Sequence, residues 1–208
     1  CALPIYDMKK EALKLAMESL TIESRAISDI KNYLDIEAFK KAVDALSHCE
    51  KIITCASGSS GIAAKKFQHS LCCIERPACF LSPAEAIHGG LGVLKEKDVM
   101  IMVSRGGKTA ELLPIIGVCK KKKATLIAIT ENLDSPLANN ADIVIPLKIE
   151  KESDKYNFMA TASFVATIGL FDAMLVSLME ETDYRREQFA LIHPGGAVGE
   201  LLNTSTPT

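Results

Sequence analysis

The chain has 208 residues, of which 48% are hydrophobic and 24% are charged, and this composition suits one globular domain with a substantial core. Its net charge of −2 is too close to zero for a nucleic-acid-binding surface. The seven cysteines are an odd number and form no C-x-x-C pair. They therefore predict a reducing, cytoplasmic environment and neither a disulfide framework nor a metal cluster.

The hydrophobic pattern predicts helices at the start of the chain and then strands that alternate with helices. Residues 8–33 predict one long amphipathic helix and residues 36–46 a second. Apolar runs predict five strands, at Lys51–Ala56, Ala78–Leu81, Val99–Ser104, Thr125–Thr130 and Ile143–Leu147. Further helices are predicted at 60–73, 84–88, 110–122, 135–139, 160–180 and 183–190.

This order of elements predicts a fold class. Strands that are apolar on both faces and alternate with helices indicate a three-layer α/β/α sandwich around a five-stranded parallel sheet. We expect a single domain over 1–208, with an N-terminal helix in 1–35 and a frayed tail at 203–208.

Residues 158–179 are long and apolar enough to be tested as a membrane span. Asp172 lies within the segment, and hydroxyl and small side chains recur along it. Because an internal acid argues against lipid, we expect a buried helix at a subunit interface and no membrane association.

The stretch from Ser104 to Glu111 is the most informative part of the sequence. It follows an apolar strand and precedes a helix-forming run, and the start of a helix favours an anion. The stretch holds hydroxyl donors, two charged donors and two glycines that let the backbone approach a ligand. The predicted phosphate-binding residues here are Ser104, Gly106, Gly107, Lys108 and Thr109.

A second loop of the same kind follows the first predicted strand. It reads Cys-Ala-Ser-Gly-Ser-Ser-Gly from Cys55 and opens a helix. We expect Ser57, Ser59 and Ser60 to donate hydrogen bonds to a small polar ligand. Both loops follow strands, and ligands in parallel α/β folds bind at the carboxyl ends of strands.

Two nucleotide-binding motifs are approximated but not satisfied. Gly-Gly-Lys-Thr at 106–109 imitates the end of a P-loop, but Met102 stands where that motif needs its first glycine. The other loop imitates a dinucleotide fingerprint, with Glu75 at the spacing of a ribose ligand. Ala56 replaces its first glycine, and Glu75 follows a predicted helix, so this signal is weak.

Four segments in order resemble one known family. They are Gly58–Gly61, Pro83–Gly92, Ser104–Thr109 with Glu111, and His193-Pro-Gly-Gly-Ala-Val-Gly199. Together they resemble the sugar isomerase (SIS) domain of D-arabinose 5-phosphate isomerases, over roughly residues 36–201. The resemblance implies a flavodoxin-like SIS fold, a homotetramer and no cofactor or metal. It also implies interconversion of D-arabinose 5-phosphate and D-ribulose 5-phosphate through an enediol, which supplies Kdo for lipopolysaccharide or capsule.

The sequence departs from this family at three places. Members usually carry lysine where Ser59 stands, and Asn-Ser-Gly-Glu followed by Ser or Thr where Arg105–Thr109 stands. Lys108 and Arg105 are the candidates for the missing positive charge. Many members continue into a pair of CBS domains, which this sequence lacks. We therefore expect any feedback inhibitor, such as a nucleotide-activated sugar, to bind at the active site.

An aldose–ketose isomerase needs a base, an acid and a dry pocket anchored by the phosphate. His88 and His193 stand beside glycines, and imidazole titrates near neutral pH. The resemblance adds Glu111 and Glu152 as catalytic candidates and Glu85 as a substrate-binding candidate. Structural explanations also exist, since the histidines could end a helix or stiffen a turn. Glu85 and Glu111 could stabilise helix starts.

Three other functions stay open at this point. The chain could isomerise another sugar phosphate, act as a non-catalytic sugar-phosphate-binding regulator, or serve as a plain interaction module. Regulators of this type carry a helix-turn-helix module, and residues 1–35 are too short for one. The long first helix and the apolar 158–179 segment predict a homo-oligomer with active sites at subunit contacts.

Overall fold

The computed structural model describes residues 9–194, in which helices precede and then alternate with five strands. The strands are β1 (Ile52–Cys55), β2 (Ala78–Phe80), β3 (Val99–Val103), β4 (Thr125–Thr130) and β5 (Ile143–Pro146). The helices are α1 (Lys10–Ser28), α2 (Ile30–Tyr33), α3 (Ile36–His48), α4 (Gly58–Cys73), α5 (Pro83–Ile87), α6 (Leu113–Lys122), α7 (Ala162–Glu181) and α8 (Arg186–Ile192). Single 3₁₀ turns occupy Gly90–Val93 and Ala138–Asn140.

Two of the predicted helices differ from the observed ones. The helix predicted over 8–33 is interrupted at Asp29, whose backbone N–H donates to the Arg25 carbonyl and ends α1. The helix predicted at 135–139 is only a 3₁₀ turn, because the Ser135 hydroxyl accepts from the Ala138 N–H and closes the chain locally. The other predicted elements are present, β4 with its predicted bounds and the rest with shifted ends.

The sheet is parallel throughout and has the strand order β2-β1-β3-β4-β5. This is the flavodoxin-like order, which confirms the predicted fold class. The direction in which successive strands join the sheet reverses between β1 and β3, where Thr54 pairs with Ile101. Ligands in such sheets bind at the carboxyl ends of the strands beside this reversal.

Helices cover both faces of the sheet because successive strand residues point to opposite sides. In β3, Val99, Ile101 and Val103 face α3, α4 and α7, whereas Met100 and Met102 face α5 and α6. All five side chains are buried. The sheet is thus the dry middle layer that holds the loops at its carboxyl edge.

Helix α7 is long and apolar enough to cross a membrane by length and composition alone. Its inner side is buried in the core, and its Phe171 ring stacks on Phe67 of α4 with ring centres 4.2 Å apart. Its outer side exposes Val176. Packing against α1, α3 and α4 accounts for much of its apolar surface.

Candidate active site

The loop after β1 leads directly into α4. Gly58 adopts the left-handed φ of +57°, which lets the chain turn from strand to helix. A Cβ atom on Gly61 would lie 2.7 Å from the Ala56 carbonyl oxygen, so the first turn closes onto the strand only with glycine. Helix α4 begins at Gly58, earlier than predicted, and this places Ser59 and Ser60 in its first turn. Their backbone N–H groups belong to the unpaired start of the helix.

The loop after β3 is closed by its own side chains. Ser104 is buried, and its hydroxyl accepts the Gly107 N–H at 3.1 Å and lies 2.8 Å from the Thr109 hydroxyl. Gly107 has a φ of +63°, and a Cβ atom there would lie 1.9 Å from the Ser135 hydroxyl. The loop is therefore a compact turn wedged against the loop after β4.

The prediction that this loop ends directly at a helix start is wrong. Helix α6 begins at Leu113, because residues 110–112 first form a turn in which the Leu112 N–H donates to the Thr109 carbonyl. Glu111 lies in this turn rather than in the first turn of a helix. Within residues 9–194, no acceptor faces the backbone N–H groups of Gly106, Lys108 and Thr109. Consecutive free N–H groups, here those of Lys108 and Thr109, can form a concave anion-binding turn.

Within the described residues, one hydrogen bond joins the two loops. The Ser57 hydroxyl donates to Oε2 of Glu111 at 2.6 Å, across the adjacent ends of β1 and β3. Within the described residues, Oε1 of Glu111 has no hydrogen-bond donor. The carboxylate therefore stands where the two loops meet, with one oxygen available to a ligand.

A hollow of about 280 Å³ opens on one side of this bridge. It is lined by Ser57 and Glu111 together with Lys65, Phe80 and Ser82. The Lys65 ammonium lies 4.8 Å from the centre of the Phe80 ring. Sequence reasoning missed Lys65, although its position seven residues after Gly58 puts it on the same face of α4.

A second hollow, of about 360 Å³, is lined by Arg105, Gly106, Glu131 and Asn132. The Arg105 guanidinium donates from Nε to Glu131 at 2.6 Å and from Nη1 to Glu152 at 3.1 Å. Sequence reasoning missed Glu131, although it directly follows β4 at the carboxyl edge.

The Glu152 carboxylate is buried and fully engaged. Its side chain is 3% exposed, and its Oε2 accepts from Thr161 N–H at 2.9 Å, from the Thr161 hydroxyl at 3.2 Å and from Ser163 N–H at 3.1 Å. Burial raises the pKa of Glu152, but the hydrogen bonds from Ser163 and Thr161 outweigh it and hold the pKa below its ordinary value. Glu152 is thus an anchored anion that ties Arg105 to the start of α7.

His88 lies at the carboxyl edge. It ends α5, whose first residues Pro83 and Ala84 line the hollow beside Ser57, and it is exposed. Gly89, with a φ of +104°, turns the chain directly after it. Glu85 is exposed on the same short helix and does not line that hollow.

His193 lies apart from the loops. Its ring stacks on Phe189 at 3.7 Å, and its Nδ1 lies 2.9 Å from the Phe189 carbonyl oxygen. Gln188 of the same helix bonds Glu75, beyond the last residue of α4. Because α4 has 16 residues, that end is about 24 Å from its start at Gly58. One subunit therefore does not bring His193 to Glu111.

Comparison with known proteins decides the family. Residues 45–177 match the SIS domain. The chain belongs to the SIS domain family. A relative, the arabinose 5-phosphate isomerase GutQ of Salmonella typhimurium, is 35% identical over 198 residues, which is 94% of this chain and 61% of GutQ. The chain thus spans less than two thirds of that relative.

Two solved structures show the same architecture as this SIS domain. One is a Listeria monocytogenes protein provisionally described as a sugar-phosphate isomerase, with 47% identity and a TM-score of 0.87 over 90% of this chain and all of that one. The other is an Escherichia coli CFT073 protein in complex with arabinose 5-phosphate, with 28% identity and a TM-score of 0.85 over the same shares. The predicted family is confirmed.

The remaining sequence predictions concern other ligands and the chain ends. Glu75, the residue that would bind a ribose, lies beyond the far end of α4 and pairs with Gln188, so it cannot serve a ligand at the first loop. Residues 9–194 hold no group of three or more His, Cys, Asp or Glu side chains that could bind a metal ion. The segment 195–199 of the His-Pro-Gly-Gly motif and the tail 203–208 lie outside the described residues.

Proposed function

We propose that this SIS domain is an aldose–ketose isomerase that interconverts D-arabinose 5-phosphate and D-ribulose 5-phosphate. The observation that carries the proposal is the Ser57–Glu111 bridge. It holds the Glu111 carboxylate between the two loops, beside the proposed anion-binding turn and at the switch point of the sheet. The GutQ relative and the E. coli structure with bound arabinose 5-phosphate support the choice of substrate. The product would supply Kdo synthesis for lipopolysaccharide or capsule.

The phosphate is proposed to bind at the turn after β3. Gly106, Lys108 and Thr109 offer free backbone N–H groups there, and the exposed Lys108 side chain adds a positive charge. The first turn of α4, with Ser59 and Ser60, adds further donors at the same edge. Fixing the phosphate would hold the carbon chain in one orientation for proton transfer.

Glu111 is the proposed base. Its free oxygen can take a proton from C1 or C2 and return it to the other carbon, which leaves an enediol between the two steps. Glu152 has no comparable freedom, because three hydrogen bonds from the start of α7 and one from Arg105 occupy it. We therefore assign Glu152 a positioning role and His88 the transfer of a proton between the two sugar oxygens.

A homo-oligomer, most simply a homotetramer, is proposed to complete the site. Leu13, Met17 and Leu20 of α1 are more than half exposed, and α1 forms an 830 Å³ groove with residues 148–151. Such surface is typical of a subunit contact. A neighbouring copy could then bring its His193 to the loops. The six free cysteines of the described residues support a cytoplasmic site of action.

An isomerase assay on the purified chain tests the proposal. We expect turnover of arabinose 5-phosphate in the presence of a chelator, and competitive inhibition by a nucleotide-activated sugar that occupies the same turn. A panel of other pentose, hexulose and heptulose phosphates separates this activity from isomerisation of another sugar phosphate. Turnover of another panel member with none of arabinose 5-phosphate would reject the assignment. Binding of sugar phosphates without any turnover would favour a regulator.

A further inference from the structure

The hollow beside Gly106 contains a charged group that the proposed proton transfers do not use. Arg105 lies between two carboxylates, with Glu131 on its Nε and Glu152 on its Nη1. The two partners lie 26 and 47 residues away in the sequence, so the cluster exists only in the folded chain. Two fixed contacts on one guanidinium restrict its rotation and hold it in one place.

The fixed guanidinium keeps donors for a ligand. An arginine side chain has five N–H groups, and Glu131 and Glu152 accept two of them. Within residues 9–194, the other three have no acceptor. The Arg105 side chain is 43% exposed and that of Glu131 is 33% exposed, so both reach the hollow.

The charges of this cluster select the kind of group that can bind there. One guanidinium faces two carboxylates, so the local charge is negative and a phosphate is repelled. An uncharged chain of hydroxyl and carbonyl oxygens fits better. Guanidinium N–H groups donate to such oxygens. Within residues 9–194, Oε1 of Glu131 has no donor, so it can accept from a hydroxyl.

The hollow is continuous with the anion-binding turn. Gly106 lines the hollow and belongs to the turn, and the Asn132 amide bonds the Gly106 carbonyl at 3.4 Å and fixes that wall. A sugar phosphate anchored on the turn can therefore extend its carbon chain toward Arg105. The hollow of about 360 Å³ has room for such a chain.

We propose that Arg105 and Glu131 form a donor–acceptor pair that binds the hydroxyl and carbonyl oxygens of an open-chain sugar phosphate and selects among such substrates. The class of ligand rests on the proposed function. The pair separates recognition of the carbon chain from recognition of the phosphate, which the neighbouring turn binds.

Calorimetric binding of two ligands tests this division without requiring turnover. D-arabinitol 5-phosphate carries the phosphate and the hydroxyl chain but cannot isomerise, whereas inorganic phosphate carries only the anion. We expect Arg105→Gln to weaken the binding of arabinitol 5-phosphate by about ten- to a hundredfold, as for loss of hydrogen bonds to a charged group. It should weaken the binding of inorganic phosphate by less than about twofold. Arg105→Lys keeps the charge but not the planar fork, so we expect it to restore only part of the loss.

Two further variants serve as controls. Lys97→Gln removes a charge that is paired with Glu50 at 3.3 Å before β3, away from the carboxyl edge, and should bind both ligands normally. Glu131→Gln leaves the Arg105–Glu152 contact in place, so it tests the pair even if Arg105→Gln unfolds the chain. It should weaken the binding of arabinitol 5-phosphate about three- to tenfold, as for the loss of one hydrogen-bonding carboxylate.

The result decides among three roles for Arg105. Equal weakening of both ligands would make Arg105 a phosphate ligand and overturn the proposal. Unchanged binding of both, in folded Arg105→Gln and Glu131→Gln proteins, would leave it a purely structural residue. If the wild type does not isomerise arabinose 5-phosphate but shows the selective loss, the donor–acceptor pair stands and only the proposed reaction fails.

Discussion

The two loops at the carboxyl edge obtain their free backbone N–H groups in different ways. The loop after β1 passes directly into α4, so a helix start supplies its free N–H groups. The loop after β3 makes a turn of its own before α6, and buried Ser104 closes that turn from within. Free N–H groups can therefore come from a helix start or from a turn held by side chains, and only the second arrangement is fixed independently of a helix.

The glycines of the two loops show the same contrast. Gly58 and Gly107 both have a left-handed φ. Apart from its chain neighbours and its own helix backbone, no described atom lies within 4 Å of the position that a Cβ on Gly58 would take, whereas a Cβ on Gly107 would collide with Ser135. At Gly58 only the left-handed backbone conformation requires glycine. At Gly107 the contact with the loop after β4 requires it as well.

The largest expected effect concerns the bond between the loops. Glu111→Gln should lower kcat by about 10²–10⁴-fold, because it removes the proposed base. Ser57→Ala removes the bridge but keeps the carboxylate, and should lower kcat by about tenfold or less. Steady-state kinetics of both variants with arabinose 5-phosphate would check this. Equal, small losses would show that Glu111 only ties the loops together.

The two glycines give a matched test of rigidity. Gly107→Ala should lower the free energy of unfolding by roughly 2–5 kcal/mol, since a left-handed alanine costs about 1–2 kcal/mol and overpacking about 1–3 kcal/mol. Gly58→Ala meets no atom and should cost only the first of these, about 1–2 kcal/mol. Urea unfolding measures both, and a larger cost at Gly58 would contradict the contrast.

The hydroxyls of the second loop should separate affinity from stability. Thr109→Ala and Ser104→Ala should each raise KM and the inorganic-phosphate dissociation constant about tenfold, as expected for hydrogen bonds to a charged group. Because the Ser104 hydroxyl is buried and holds the Gly107 N–H, only its loss should also lower the melting temperature. Unchanged KM in both variants would remove this turn from the phosphate site.

The smallest expected effect is on the reactivity of two buried cysteines, Cys55 and Cys119. Burial raises the pKa of Cys55, at the end of β1, to about 12 and that of Cys119, in α6, to about 11. A raised thiol pKa leaves the neutral form dominant at pH 8, and only the thiolate reacts with alkylating reagents. Mass spectrometry after brief labelling of the native protein at pH 8 should find exposed Cys72 modified first. Rapid labelling of Cys55 would show that the layer under the first loop opens.

The sequence by itself determined the order of elements, the parallel sheet and the position of the two loops after β1 and β3. The apolar runs of the strands, β3 included, can be read locally. Each strand residue faces a side of the sheet that is set by its own position in the run. The family segments also place Ser57, Ser104 and Thr109 at the correct edge. These features depend on residues close together in the chain.

Only the tertiary structure decided how the site is assembled. The Ser57–Glu111 bridge joins residues 54 apart, and the contacts of Arg105 reach 26 and 47 residues along the chain. The place of His193 beyond α4 depends on a contact between α8 and the residues after α4. Local patterns carry no information on such pairings, because their free energy comes from groups that meet only when the sheet brings the strand ends together.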